Sequence, residues 1–196
     1  MNDEILTPEK ILVAAEDMLR RYGPTKTTVL DVARTLGVSH GSVYRHFPSK
    51  AALRDAVTKR WLGRVMVPLR PIVEESGPAP ERLKRWLLTL AAVKRAKVLN
   101  DPELFATYSV LTGEAREVVK EHIVHLREQV TRIIADGVAN GEFEVADPAD
   151  AAQAVLYATT HFHSPAHAPE WSEPGLDAAF ENVWSLILCG LTVRKS

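Results

Sequence analysis

The chain has 196 residues, 46% of them hydrophobic, with a formal charge of −1 and one cysteine. That length and apolar content bury a sizeable core and exclude a disordered chain, and the single Cys189 excludes an internal disulfide framework. No run of about eighteen or more apolar residues interrupts the sequence and no cationic leader with an apolar stretch opens it, so a soluble cytoplasmic protein without a membrane partner is expected. The charge is unevenly shared: residues 1 to 60 carry ten Lys/Arg against seven Asp/Glu, a balance of +3, and residues 61 to 196 carry fourteen against eighteen, a balance of −4. An anionic partner therefore belongs at the N-terminal end.

Helical periodicity runs almost throughout, and the fold class is all-α with about nine helices. Thr7 and Pro8 read as N-cap and first position of a helix over about 8 to 22, which buries Ile11, Leu12, Ala15, Met18 and Leu19 and stops at Gly23-Pro24. Thr28 caps a short helix with Val29, Val32, Ala33 and Leu36 inward, and Gly37 follows its end. Ser39 caps another, reaching about His46. Ser49 caps a fourth, from Lys50 through Leu53, Val57, Trp61 and Val65, until Pro68 and Pro71 bend or end it. SGPAP, 76 to 80, is a linker-like loop. Helices follow over about 80 to 99, from Asp101-Pro102, over about 114 to 140 closed by Asn140-Gly141, and from Asp147-Pro148 to about His161. HSPAHAPEWSEPG reads as a proline-rich connection. The last helix, about 176 to 193, has little polar face, which calls for burial against a partner subunit.

Two short helices joined by Gly37-Val38-Ser39 make a helix-turn-helix, in which the second helix enters the DNA major groove and the first braces it. Val32, Leu36, Val38, Val43 and Phe47 hold the unit together. His40, Gly41, Ser42, Tyr44, Arg45 and His46 then point outward. Small Gly41 and Ser42 allow close approach to base edges, and His40 and Arg45 carry donors for bases or phosphate. Tyr44, His46 and Lys50 have the reach for flanking phosphates, and the helix starts near Thr28 and Ser39 add backbone N–H groups.

The segment TTVLDVARTLGVSHGSVYRHFPSKAAL, 27 to 53, resembles the DNA-binding domain of the tetracycline-repressor (TetR/AcrR) family of bacterial transcriptional regulators. The resemblance rests on the capping Thr, the apolar-apolar-Ala helix, Leu-Gly-Val-Ser, the small helix start, Tyr-x-His-Phe and the Ser-Lys cap. It implies that Thr28, His40, Gly41, Ser42, Tyr44, His46 and Lys50 lie at or near DNA. Leu30 departs from the family, where a polar or charged residue often stands. The resemblance also implies a three-helix DNA-binding domain over 1–52 and a helical effector-binding and dimerisation domain over 53–196. It further implies a homodimer built on about 148 to 162 and 176 to 193, a palindromic double-stranded DNA operator, and repression relieved by a small-molecule effector in a cavity of the second domain.

For that cavity, Trp86, Phe105, Tyr108, Tyr157 and Phe162 are candidate apolar lining, with Arg95, Glu114, His122 or Tyr157 as polar anchors; plain core packing is the competing reading. Leu156, Phe180, Trp184, Leu188 and Leu191 are the expected dimer contacts. The basic cluster Arg82, Lys84, Arg85, Lys94, Arg95 and Lys97 reads as a solvated face, with added attraction for DNA or contact with an acidic effector as the alternatives; Cys189 reads as buried filler, with a redox switch as the alternative if it is exposed and acidified. His122 and His125 share a face and could hold a metal, whereas Pro165 breaks any helical pairing of His163 with His167. Structural roles for these histidines are preferred, with no metal and no cofactor expected; a metal-responsive or partner-controlled regulator is the alternative. No Gly-rich phosphate loop, HExxH, nucleophile elbow or metal-spaced cysteine set speaks for an enzyme.

Overall fold

The computed structural model describes residues 5–100 and 102–192. The helices, in chain order, are α1 (Pro8–Lys26), α2 (Val29–Thr35), α3 (His40–Tyr44), α4 (Lys50–Met66), α5 (Arg70–Glu74), α6 (Ala79–Asn100), α7 (Pro102–Glu114), α8 (Arg116–Ala139), α9 (Pro148–Ala158), α10 (Thr160–His163), a 3-10 helix (Pro165–Ser172) and α11 (Leu176–Leu191). No strand occurs among the described residues, only an isolated bridge between Phe143 and Thr192. Asp101 and Val193, expected at helix ends, lie outside the described residues.

Two compact units result, residues 1–63 with 101–120, and residues 64–100 with 121–196. In the first, Thr7 caps α1 by accepting from the Lys10 N–H at 3.3 Å, and Gly23 leaves helical geometry at φ 73° just before Pro24. Ile11, Ala15 and Leu19 of α1 meet Val32, Val43, Val57 and Trp61 in one apolar cluster. Tyr108 of α7 completes it: its ring stacks on Trp61 at 4.3 Å, and its hydroxyl donates to Glu16 at 2.9 Å. Arg60 pairs with Glu9 and Glu16 at 2.8 and 3.2 Å. The sequence divides the chain near residue 52; the contacts carry the first unit to Gly63 and return α7 to it, because Tyr108 and Leu111 are buried in its cluster.

In the second unit, Leu83, Trp86, Leu87 and Leu90 of α6 and Leu126, Val130, Ile133 and Ile134 of α8 are buried at helical spacing. Helix α8 ends in a Schellman turn: the Gly141 N–H (φ 72°) bonds the Val138 carbonyl at 3.1 Å and the Glu142 N–H bonds the Gly137 carbonyl at 2.8 Å. Glu142 then accepts from the Ala79 N–H at 2.8 Å, satisfying a free donor at the start of α6.

Three expectations need correction. Pro71 opens the short α5 instead of only ending the helix before it, since proline is well placed in a first helical turn. Arg82 and Lys94 are buried and so do not belong to a solvated face. Arg82 donates to the Ile72 and Val73 carbonyls at 3.2 and 2.6 Å and to Asp136 at 3.0 Å, tying the C-terminal turn of α5 to α6 and α8. Finally, Leu156, Phe180, Trp184 and Leu191 are buried within the single chain, with only Leu188 of that set half-exposed; Cys189, by contrast, is exposed. One stripe of α11 faces its own core, and Leu186, 75% exposed, lies off that stripe.

Candidate nucleic-acid interface

Local chemistry shapes the helix-turn-helix. Thr28 and Asp31 form a capping box at the start of α2: the Thr28 hydroxyl accepts from the Asp31 N–H at 3.2 Å, and the Asp31 carboxylate accepts from the Thr28 N–H at 3.2 Å. The Thr28 side chain holds the Asp31 carboxyl below the usual carboxylate range. The turn is a second Schellman motif, with the Gly37 N–H bonding the Arg34 carbonyl at 3.1 Å and the Val38 N–H bonding the Ala33 carbonyl at 3.0 Å. Gly37 stands at φ 66°, a conformation that glycine adopts without the Cβ penalty.

Ser39 caps α3 by accepting from the Ser42 N–H at 3.2 Å, and the two hydroxyls lie 2.9 Å apart. Arg45 donates to the Ser42 hydroxyl at 3.2 Å, and the His40 and Tyr44 rings meet edge-on at 6.2 Å. Val43 and Phe47 bury the inner face. His40, Gly41, Tyr44, Arg45 and His46 are exposed, Ser42 and Lys50 half-exposed, and Leu36 and Val38 partly buried against the core. A Cβ built on Gly41 would meet only the Ser39 hydroxyl, at 3.9 Å, so packing within the protein gives no reason for a glycine there. Leu30 of α2 is 53% exposed.

The proposed pocket residues divide between the units. Tyr108 and the partly buried Phe105 belong to the core of the first, where Glu114 also lies, paired with Arg54 at 2.6 Å. Trp86, Arg95, His122, Tyr157 and Phe162 belong to the second. Trp86 is fully buried and donates to Gln129 at 2.8 Å; Phe162 packs edge-on against Phe180 at 5.2 Å; Tyr157 is 72% exposed. Arg95 reaches Asp177 at 3.5 Å.

Sequence reasoning placed His122 among the polar anchors and Lys94 in a basic cluster read chiefly as solvated. Lys94 is 6% exposed, and burial, with Lys97 adding to it, brings its ammonium down to about 8. His122 is 7% exposed; burial first and Lys94 second push it down to about 3, and the same two causes push His163 down to about 4. Only the inward phase of α6 marks Lys94, which lies three and four positions after the buried Ala91 and Leu90.

The 3-10 turn after Pro165 also folds His167 back toward His161, a pairing that helical spacing does not suggest. Their rings lie 4.8 Å apart; Glu170 stands 3.1 Å from His167 and 3.6 Å from His161, with one ligand atom of each residue within 4.8 Å of the others. Two imidazoles and a carboxylate are donor types that zinc takes.

Residues 11–57 match the family of bacterial regulatory proteins described as the tetR family, and residues 79–184 match the tetracyclin repressor-like C-terminal domain. RutR of Escherichia coli O157:H7 is 27% identical over 195 residues, covering 94% of this chain and 90% of that protein. An HTH-type transcriptional regulator of Mycobacterium tuberculosis is 34% identical over 108 residues, 53% of this chain; the chain spans about half, 50%, of that relative's length. Among solved structures, a protein from Rhodococcus sp. RHA1 superposes with a TM-score of 0.71 at 22% identity, covering 98% and 100% of the two chains. FadR from Bacillus subtilis in complex with stearoyl-CoA superposes at 0.67 with 18% identity, covering 94% and 99%. At these identities the structures speak for the fold.

Proposed function

The chain belongs to the tetR family of bacterial regulatory proteins and is a DNA-binding transcriptional regulator, and from that premise we propose that it is a homodimeric repressor released from a palindromic operator by a small-molecule effector. The observation that carries the reading is the outer face of α3, where Gly41 leaves a gap that no neighbour within the protein requires. Such a gap serves an external surface that comes close. In this reading α3 lies in the major groove, His40, Ser42 and Arg45 face base edges, and Tyr44, His46 and Lys50 reach flanking phosphates. Ser39 and Thr28 start their helices at the DNA; the Thr28 hydroxyl is occupied in its capping box and positions α2. Exposed Leu30 suits a thymine methyl group.

Dimerisation uses the outward faces of α9 and α11, which pack on each other and expose Tyr157 and Leu186. Two reading heads about 34 to 36 Å apart fit successive major grooves. An effector that binds the DNA-incompetent spacing better draws the population away from the operator. A structural neighbour that holds stearoyl-CoA supports control by a small molecule. The test is selection of genomic fragments on the purified protein at fixed salt. Enrichment of a palindrome that Gly41→Leu abolishes at unchanged melting temperature is the expected result; enrichment that survives Gly41→Leu refutes α3 as the reading helix.

Metal control is the second reading, favoured by the His161, His167 and Glu170 donor set. Operator affinity measured before and after chelation, then with zinc restored, separates the two. A reversible change supports the metal, and an unchanged affinity dismisses it.

A further inference from the structure

We propose that His161, His167 and Glu170 form a binding site for one divalent transition-metal ion of the zinc type, on the connection that leads into α11. The proposal goes beyond the metal reading above, because it concerns occupancy of the site and stands whether or not the ion governs the operator.

A regular helix would not gather these residues. His161 sits on α10, and the 3-10 helix after Pro165 carries His167 and Glu170 back to it. The backbone that bears them is anchored: Phe162, Ala168 and Trp171, each the sequence neighbour of one of the three, are buried. Phe162 meets Phe180 of α11 at 5.2 Å, and the Trp171 indole donates to the main-chain carbonyl of His161 itself at 2.9 Å. The His167 N–H bonds the Ser164 carbonyl at 2.9 Å, and the 3-10 helix packs against both α10 and α6. Backbone held in this way fixes where the three side chains originate, while their ends stay half-exposed and open to an ion from solvent.

No lysine or arginine meets Glu170 among the described residues; its ion-pair partners there are the two imidazoles, at 3.1 Å from His167 Nδ1 and 3.6 Å from His161 Nε2. A carboxylate only accepts, so Nδ1 of His167 holds the proton in the shorter contact. The longer contact is no hydrogen bond, which leaves the His161 Nε2 lone pair available.

Four-coordinate zinc with bonds of about 2.0–2.2 Å sets its ligand atoms about 3.3–3.6 Å apart. The two contacts to Glu170 lie close to that spacing. The widest separation among the three ligand atoms, within 4.8 Å, then closes by at most about 1.5 Å, which side-chain rotation of half-exposed residues supplies. Two nitrogens and one carboxylate oxygen select a borderline ion such as zinc over magnesium or calcium, which take oxygen ligands. On binding, the His167 proton moves from Nδ1 to Nε2, which frees the Nδ1 lone pair, and a water fills the fourth position. The ion then clips the 3-10 helix to α10.

The test uses tag-free full-length protein, stripped with a chelator and titrated with zinc alone and, separately, with magnesium. Competition with a chromogenic chelator gives stoichiometry and affinity, and NMR follows the imidazole nitrogen signals. One zinc per chain, a His167 signal that changes from the Nδ1–H to the Nε2–H form, and affinity lower by about tenfold or more in His161→Gln and in His167→Gln are the expected results. Zinc binding that survives both substitutions, or that falls in His125→Gln instead, overturns the site, as does no saturable binding to the wild type. Magnesium bound as tightly as zinc overturns the assignment to a transition metal. The wild-type imidazole signals identify the ligands even where a variant folds poorly. Operator affinity is measured on the same zinc-loaded and zinc-free samples: an unchanged affinity with zinc bound at His161 and His167 dismisses metal control of DNA binding and leaves this site standing.

Discussion

Replacing Gly137 by alanine sets two forces of known size against each other. Alanine is the better helix former by about 1 kcal/mol, and in open space the substitution in α8 would stabilise the protein. At this position, however, the new Cβ would lie 2.8 Å from the Ala79 Cβ and 2.9 Å from Phe143 Cε2, and closer still to Cδ2 of that ring. Neither neighbour gives way easily. Phe143 is buried and follows the Schellman turn at Gly141, with the Glu144 N–H bonded to the Leu191 carbonyl at 2.8 Å, and Ala79 is held at the start of α6 by Glu142. Overpacking typically costs about 1–3 kcal/mol, and two anchored neighbours put this case at the upper end. The net expectation is a loss of about 1–2 kcal/mol, read as a lower urea midpoint at unchanged slope. Phe143→Leu in the same chain should recover part of it, since the double-mutant cycle removes the ring but not the propensity gain. A Gly137→Ala midpoint at or above wild type would refute the reasoning, because it would mean that the ring moves aside freely.

His122 and His163, held at about 3 and about 4 against an ordinary 6.5, take up protons in the unfolded chain before the folded one. Their stabilising share is full above pH 6.5 and falls as the pH drops toward 4, by up to about 1.4 kcal/mol per pH unit for each; melts between pH 7 and 4 that show no decline, or one that His122→Gln leaves unchanged, contradict it. Lys94→Met should raise the urea midpoint, because it removes the desolvation cost of a buried lysine, and a lower midpoint would argue against that account. Arg82→Met should cost about 3 kcal/mol by stranding two carbonyls and Asp136, measured by the same unfolding curves. At the DNA, Lys50→Ala should weaken binding to all sequences and reduce the salt slope by about one, whereas His40→Ala should lower discrimination at one operator position; a uniform loss from both would remove that division of labour. Leu186→Asp should give a folded monomer with weak operator binding, while Trp184→Asp, in the buried stripe, should unfold the chain; light scattering and circular dichroism distinguish the two.

Much of this molecule was legible without coordinates wherever one turn of chain decides the outcome. Thr28, Ser39 and Gly37 announce the capping box, the second cap and the turn, because each acts on backbone groups within a few residues of itself. The outward set on α3 followed from helical phase once Val43 and Phe47 were taken as inner. Periodicity also marks the face of α11 that carries Phe180 and Trp184, but it cannot say whether the surface meeting that face is the same chain or a second copy. Here the chain's own core buries it, leaving Leu186 outside. Lys94 looked like one more surface cation because composition carries no information about which groups other helices bring against it. His161, His167 and Glu170 converge only because the 3-10 turn after Pro165 reverses the chain. Short-range hydrogen bonding is written in neighbouring residues, whereas burial, charge pairing and clustering depend on parts of the chain far apart in sequence, and only the folded structure sets those distances.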